Sequence, residues 1–214
     1  MGKCILVCAG DLTVGSIPQA EDDLIIAVDG GLMYCESLGV EPDYIIGDFD
    51  SLTDSFLEAL SQIEEADKDK VVRLKPQKDD TDTLAALRFG IEKGYKTFYM
   101  YGCGGGRLEH TIANIQCLMF LKDNECEGYI MEGAGMSFIA RNEAISFKET
   151  MEGFVSVFAM DKEVTGVYER GLKYTLSDAT LSTSFPIGVS NEFIGEKAEI
   201  KVDNGSVLVV VNWA

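Results

Sequence analysis

Apolar residues in the first part of the chain fall into short unbroken runs. Residues 4–9 (CILVCA) and 24–28 (LIIAV) have no polar position to turn toward water, as expected of strands covered on both faces. Residues 44–46, 71–74 and 97–101 predict three more strands, and 129–131 a sixth. Between the runs the period changes. Residues 32–38 predict a helix stopped by Gly39, and 55–66 a helix with Phe56, Leu60 and Ile63 on one face. Residues 83–93 predict a helix with Leu84, Leu87 and Ile91 inward and Gly94 at its end, and 110–121 predict another. Strands alternating with helices imply an α/β domain, a Rossmann-like, mostly parallel sheet with helices on both faces. Past about residue 135 the helical period disappears. Residues 154–160 (FVSVFAM), 198–202 and 207–211 read as strands separated by Gly, Asn and Asp turns. The expectation is an α/β domain over 1–135 and a smaller all-β sandwich or barrel over 136–214.

Charge narrows the function. The 214 residues carry a formal net charge of −18. That argues against a nucleic-acid backbone or an anionic membrane as partner, since both need clustered Lys and Arg. An anionic substrate stays open if a metal cation mediates. The six cysteines (Cys4, Cys8, Cys35, Cys103, Cys117 and Cys126) form no C-x-x-C pair and sit in or beside apolar stretches. They read as reduced core residues of a cytoplasmic protein rather than a zinc site or a disulfide framework. The apolar runs are strand-sized, too short to span a bilayer.

Candidate chemistry gathers at the strand ends, where open parallel sheets bind ligands. Asp29 follows the second predicted strand, Asp48 and Asp50 the third, and Asp79, Asp80 and Asp82 the fourth. In an extended chain Asp48 and Asp50 would face one side while Phe49 turns into apolar packing. Asp79 and Asp82 would share one face of a first helical turn. Two carboxylates about 5 Å apart at an effective dielectric near 20 repel by roughly 3 kcal/mol. A shared hard cation such as Mg²⁺, which keeps waters and accepts phosphate oxygens, would remove that cost. A single acid here needs no function, because Asp79 or Asp80 can simply cap the next helix.

Residues 102–110 (GCGGGRLEH) add a second feature. Gly105 and Gly106 leave backbone N–H groups open to a ligand, and Arg107 offers a planar fork for phosphate oxygens. The same residues also suit a flexible turn with an exposed arginine. His110, the only histidine, can cap or pack the helix rather than react. From the residues alone, the chain is expected to be a magnesium-dependent phosphate-handling enzyme.

Six segments in order, VDGG (28–31), GDFDSL (47–52), KDDTD (78–82), GGRLEHTIANI (105–115), GLKYTL (171–176) and GVSNEF (188–193), extend that reading. With them the sequence resembles the thiamine pyrophosphokinase family over nearly its whole length. The resemblance implies an ATP-binding N-terminal α/β domain, a thiamine-binding C-terminal β domain, and a homodimer with thiamine near the subunit interface. It implies transfer of the diphosphate of ATP to the hydroxyethyl oxygen of thiamine, with AMP leaving. It places Asp48, Asp50 and Asp82 as magnesium ligands, with Asp29 and Asp79 beside them orienting the substrate hydroxyl or metal waters. Arg107 would meet the ATP phosphates, beside Gly105, Gly106 and His110. Tyr174, Ser190 and Asn191 match the positions expected to hold the thiamine rings. One departure is Glu109, where the family usually has Asp. Trp213, the only tryptophan, is expected in the core or an interface. The alternatives are a non-catalytic thiamine or nucleotide sensor, or a diphosphokinase for another alcohol such as a pterin.

Overall fold

The unbroken apolar runs become the centre of a parallel sheet. The computed structural model describes residues 2–50, 53–75 and 80–213. The chain divides into two units, Met1–Gly133 and Ala134–Ala214. In the first, strands β1 (Cys4–Val7), β2 (Leu24–Val28), β3 (Tyr44–Gly47), β4 (Val71–Arg73), β5 (Thr97–Tyr101) and β6 (Glu127–Glu132) are joined with helices α1 (Gly31–Leu38), α2 (Asp54–Ala66), α3 (Asp82–Glu92) and α4 (Leu108–Asp123). Their order across the sheet is β6-β5-β1-β2-β3-β4, and each neighbouring pair is parallel. Every residue of β1 and β2 is buried, because helices cover both faces. On one face Ile5, Val7, Ile25, Ala27 and Ile45 pack with Cys35 of α1 and Leu60 of α2. On the other, α3 lies over Cys4 and Phe98. This is a mixed α/β arrangement with a large parallel sheet.

The strand order places a binding crevice. The chain leaves β1 toward β2 on one side and leaves β5 toward β6 on the other, although β1 and β5 are neighbours. Such a switch point opens a crevice beyond the carboxyl ends of the two strands.

The helices correct one detail of the periodicity. In α3 the buried stripe is Thr83, Ala86, Leu87 and Gly90, whereas Leu84 and Ile91 are only half-buried. The helix also starts one residue earlier than expected, and Thr81 caps it: its hydroxyl accepts from the Leu84 N–H at 3.2 Å. Of the residues named for the cap, Asp80 instead pairs with Arg88 at 2.9 Å, and Asp79 lies outside the described residues.

The second unit contains β7 (Gly135–Arg141), β8 (Ala144–Phe147), β9 (Gly153–Ala159), β10 (Glu163–Arg170), β11 (Leu176–Ser182), β12 (Gly188–Glu192), β13 (Ala198–Asn204) and β14 (Ser206–Trp213). They form two antiparallel four-stranded arrays, β12-β9-β14-β7 and β11-β10-β13-β8. Strand β13 shows the expected alternation, with Ala198, Ile200 and Val202 buried and the residues between them turned outward. Strand β14 lies between β7 and β9 and is buried almost throughout, hence its unbroken run of valine and leucine. Trp213 ends this strand half-buried.

The observed α3 stripe yields a test. Leu87→Ala should destabilise the protein by about 2–5 kcal/mol, because it empties a fully buried position. Leu84→Ala should cost less than about half as much. Urea denaturation of both variants checks the ranking, and equal losses would contradict the assigned face.

Candidate active site

The crevice of the first unit is a cleft of about 610 Å³. Its walls come from the ends of four strands and the starts of two helices: residues 8–11 after β1, Val28 and Asp29, Asp48 and Asp50 after β3, 80–83 leading into α3, and 102–107 after β5 with His110, Ala113 and Asn114 of α4. The described lining holds six aspartates, Asp11, Asp29, Asp48, Asp50, Asp80 and Asp82, against one arginine, Arg107. Of the acids named from the sequence, Asp29, Asp48, Asp50, Asp80 and Asp82 are thus brought to one cleft.

Local backbone explains how. Asp29 has φ 50°, and its N–H donates to the Ile46 carbonyl at 2.9 Å, which ties the end of β2 to β3. Phe49 is buried in the core while Asp48 and Asp50 line the cleft, as the alternation argument requires. The backbone is not extended there, however: Phe49 has φ 61°. A left-handed conformation at an aromatic residue is uncommon and costs on the order of 1–3 kcal/mol, the kind of strain that concentrates at functional sites. The Asp48 carboxylate accepts the Asp50 N–H at 3.3 Å, and the Arg73 guanidinium lies 5.4 Å from the Phe49 ring centre. These contacts hold the turn that presents both acids.

The opposite wall is a glycine loop stitched to the end of β1. Gly10 N–H donates to the Gly102 carbonyl and Asp11 N–H to the Gly104 carbonyl, each at 2.8 Å. Gly105 has φ 73°, and a Cβ there would run into the Asp11 carboxylate. Glycine is therefore required twice over, for its conformation and for its close approach. Asn114, buried on α4, donates to the Cys103 carbonyl at 2.9 Å and fixes the loop from beneath. Asp11 and Asn114 were not singled out in the sequence. Asp11 reaches the cleft only through pairing between segments about 90 residues apart, which no local pattern announces.

Arg107 and His110 both line the cleft and are exposed. Exposure rules out the packing role expected for His110, and Arg107 rather than His110 occupies the position before α4. The Arg107 Nε donates to Glu109 at 2.7 Å. Glu109 is held below the usual carboxylate range by its own backbone hydrogen bond and by Arg107. An anion entering the cleft meets an arginine that already has a carboxylate partner.

The cysteines are six buried free thiols. Hydrogen bonding to Cys8 and then burial push the Cys103 thiol well up, so this wall of the cleft holds no ready thiolate. Among the described residues no three His, Cys, Asp or Glu side chains already converge on a metal-sized position. The lining still fits a hard cation: its donors are carboxylates, and such an ion keeps waters and takes ligand oxygens to complete its shell.

In the second unit the residues named from the sequence also meet. Residues 172–173 run beside 192–193, through a bridge between Leu172 and Phe193 and a 3.0 Å bond from Lys173 N–H to the Glu192 carbonyl. Ser190 sits in a bulge of β12 with φ 58°, and the Ser156 hydroxyl accepts its N–H at 2.9 Å. Tyr174 is 65% exposed, whereas Asn191 is buried. Asn191 Oδ1 accepts the N–H groups of Tyr174 and Glu192, each at 3.0 Å. Its Nδ2 donates to the Tyr174 carbonyl and to Glu169, each at 2.6 Å. Both donors and both acceptors of the amide are used within the protein. Asn191 therefore holds Tyr174 in place, and Tyr174 and Ser190 beside it are exposed. Glu169, missed in the sequence, is 1% exposed on β10.

Comparison with known proteins gives the family. Residues 19–130, just over half of the chain, match the family model described as thiamin pyrophosphokinase, catalytic domain, and residues 142–207 match the thiamin pyrophosphokinase vitamin B1 binding domain. The chain belongs to the thiamin pyrophosphokinase family. It is 26% identical over 191 residues to the thiamine pyrophosphokinase of Bacillus subtilis, covering 89% of this chain and 87% of that protein. The crystal structure of the Bacillus subtilis enzyme superposes with a TM-score of 0.83 at 23% identity over 98% of each chain. The yeast enzyme superposes with a TM-score of 0.75 at 16% identity, covering 100% of this chain and 86% of that one. At these identities the structural likeness speaks to the fold.

Burial raises the Glu169 carboxyl above its usual range, and the Asn191 hydrogen bond only partly opposes this. The folded protein therefore holds this proton at pH values where the unfolded chain has lost it. Stability from this group is fully present below the ordinary carboxylate range and is lost as pH rises through the raised value. Glu169→Gln does not titrate, so its stability relative to the parent should improve between about pH 5 and about pH 8. Denaturation at both pH values checks this, and a pH-independent difference would contradict it.

Proposed function

We propose that the acidic cleft binds ATP with Mg²⁺ and that the face formed by Tyr174 and Ser190 binds thiamine. The chain is a thiamine diphosphokinase, transferring the diphosphate of ATP to the hydroxyethyl oxygen of thiamine to give thiamine diphosphate and AMP. The observation that carries the assignment of the cleft is its composition, six aspartates and one arginine around a glycine loop at the sheet's switch point. A polyphosphate would be repelled there unless a cation accompanied it. Strand order and switch point also support classing the first unit as Rossmann-like.

Asp48, Asp50 and Asp82 are the residues that would hold Mg²⁺, which when bound neutralises phosphate charge and stabilises the departing AMP oxygen. Arg107 takes phosphate oxygens in place of Glu109, and the N–H groups around Gly105 and Gly106 offer further donors. His110, exposed on the same rim, lies beside the nucleotide. Asp29 orients the attacking hydroxyl or accepts its proton as the new bond to phosphorus forms. Asp79, assigned the same duty, lies outside the described residues. The Tyr174 ring offers its face to the thiamine cation, worth about 0.5–2 kcal/mol. Asn191 serves that face by holding Tyr174 and leaving Ser190 exposed. We assign a homodimer with thiamine near the subunit interface, supported by the exposed apolar Phe154, Phe185, Ile187 and Val189 of the second unit. Six reduced cysteines support a cytoplasmic location.

The direct test is AMP release from ATP and Mg²⁺ with and without thiamine. Thiamine-dependent AMP is expected. Binding without turnover would indicate a sensor, and turnover with a pterin alcohol alone would indicate another acceptor. Asp48→Asn should lower turnover by at least about a hundredfold with circular dichroism unchanged. Normal AMP release by that variant would remove Asp48 from the chemistry. Tyr174→Ala should raise the thiamine KM about tenfold and leave the ATP KM unchanged. An unaltered thiamine KM would place the ring-binding surface elsewhere.

A further inference from the structure

We propose that Glu169 is a positioning residue for thiamine binding: it helps fix the orientation of the Asn191 amide and, through it, the backbone of Tyr174. The inference rests on the assignment of thiamine to the Tyr174 face. Glu169 does not belong to any of the six sequence segments that carry the family resemblance.

The geometry is a relay of three residues. Glu169 Oε2 accepts one Asn191 Nδ2 hydrogen at 2.6 Å, and the Tyr174 carbonyl accepts the other at 2.6 Å. Asn191 Oδ1 faces the N–H groups of Tyr174 and Glu192. An amide turned end for end would set its NH₂ against those two N–H groups and its oxygen against the Tyr174 carbonyl and Glu169. Three backbone groups already favour the observed orientation, and Glu169 is the side-chain acceptor that completes it. Without it, a donor on a buried amide loses its partner, and the clip on Tyr174 is weakened.

Glu169 is costly to keep. It is 1% exposed, and its Oε1 has no hydrogen-bond partner among the described residues. A residue needed only to fill space would be apolar here, because a buried carboxyl with one unused oxygen is unfavourable. What the carboxyl provides is an acceptor aimed at one amide proton. The exposed Tyr174 ring is anchored by its own backbone, and that backbone is held at both its N–H and its carbonyl by the amide that Glu169 helps orient.

Steady-state kinetics of Glu169→Gln, Glu169→Leu and Glu169→Asp in the full chain test the assignment, with ATP and thiamine varied separately. Gln keeps an acceptor at the same reach, so the thiamine KM should stay within about twofold of the parent. Leu removes the acceptor and should raise the thiamine KM about tenfold, with kcat within about threefold and the ATP KM unchanged. Asp withdraws the acceptor by one methylene and should raise the thiamine KM in the same direction. It decides the question if the Leu variant does not fold. A purely architectural role would lower thermal stability in Leu and Asp with both KM values unmoved, and that result overturns the proposal. Equal rises in both KM values, or failure of Gln to rescue, overturn it as well. The two assignments fail separately. Parent protein that releases AMP without thiamine contradicts the thiamine face itself. Parent protein that saturates with thiamine, beside an Asp variant of unchanged KM, contradicts Glu169 alone.

Discussion

Repulsion between carboxylates is the constraint on which the first unit turns. Among the described residues six aspartates lie around one cleft with a single arginine, itself paired to Glu109, in a chain whose net charge is already −18. Two carboxylates about 5 Å apart at protein-like dielectric repel by roughly 3 kcal/mol. The sheet makes the gathering possible. Its two central strands are buried on both faces, so the loops at their ends rest on a rigid base and strained turns such as Phe49 at φ 61° can be held. Core packing supports a rim rich in negative charge.

The second unit solves a different problem with neutral groups. An exposed aromatic ring on a loop is a poor binding surface unless its backbone is fixed, because ordering it on binding costs conformational entropy. Here the cost is met in folding. Asn191 clamps Tyr174 with two of its four hydrogen bonds, the other two reaching Glu192 and Glu169, and Ser190 lies exposed in a bulge beside them. Buried Glu169 ties the clamp to the neighbouring array.

How much of this was legible in the sequence depended on range. The parallel strands were plain, because strands covered on both faces must read as unbroken apolar runs. Asp48 and Asp50 were plain for a similar reason, lying at a strand end where no packing role competes. Strand β10 was not, since Gly166 at φ 64° interrupts its alternation and shifts its register against β11. Strand β11 is a largely polar edge strand, and β12 is short and bulged, so neither presents a run to find. Thr81 rather than Asp80 caps α3 because Asp80 has Arg88 as an alternative partner two turns along the helix. Asp11 and Glu169 were out of reach, as each owes its role to a partner distant in sequence.

If the proposed assignment is right, the cleft accepts a nucleotide only together with a divalent ion. Calorimetric titration of ATP into the protein, with Mg²⁺ and again with Mg²⁺ chelated, tests it most directly. Binding that requires Mg²⁺ and weakens at least about tenfold without it is the expected result. Equally tight ATP binding in the absence of any divalent ion would contradict the role given to the six carboxylates.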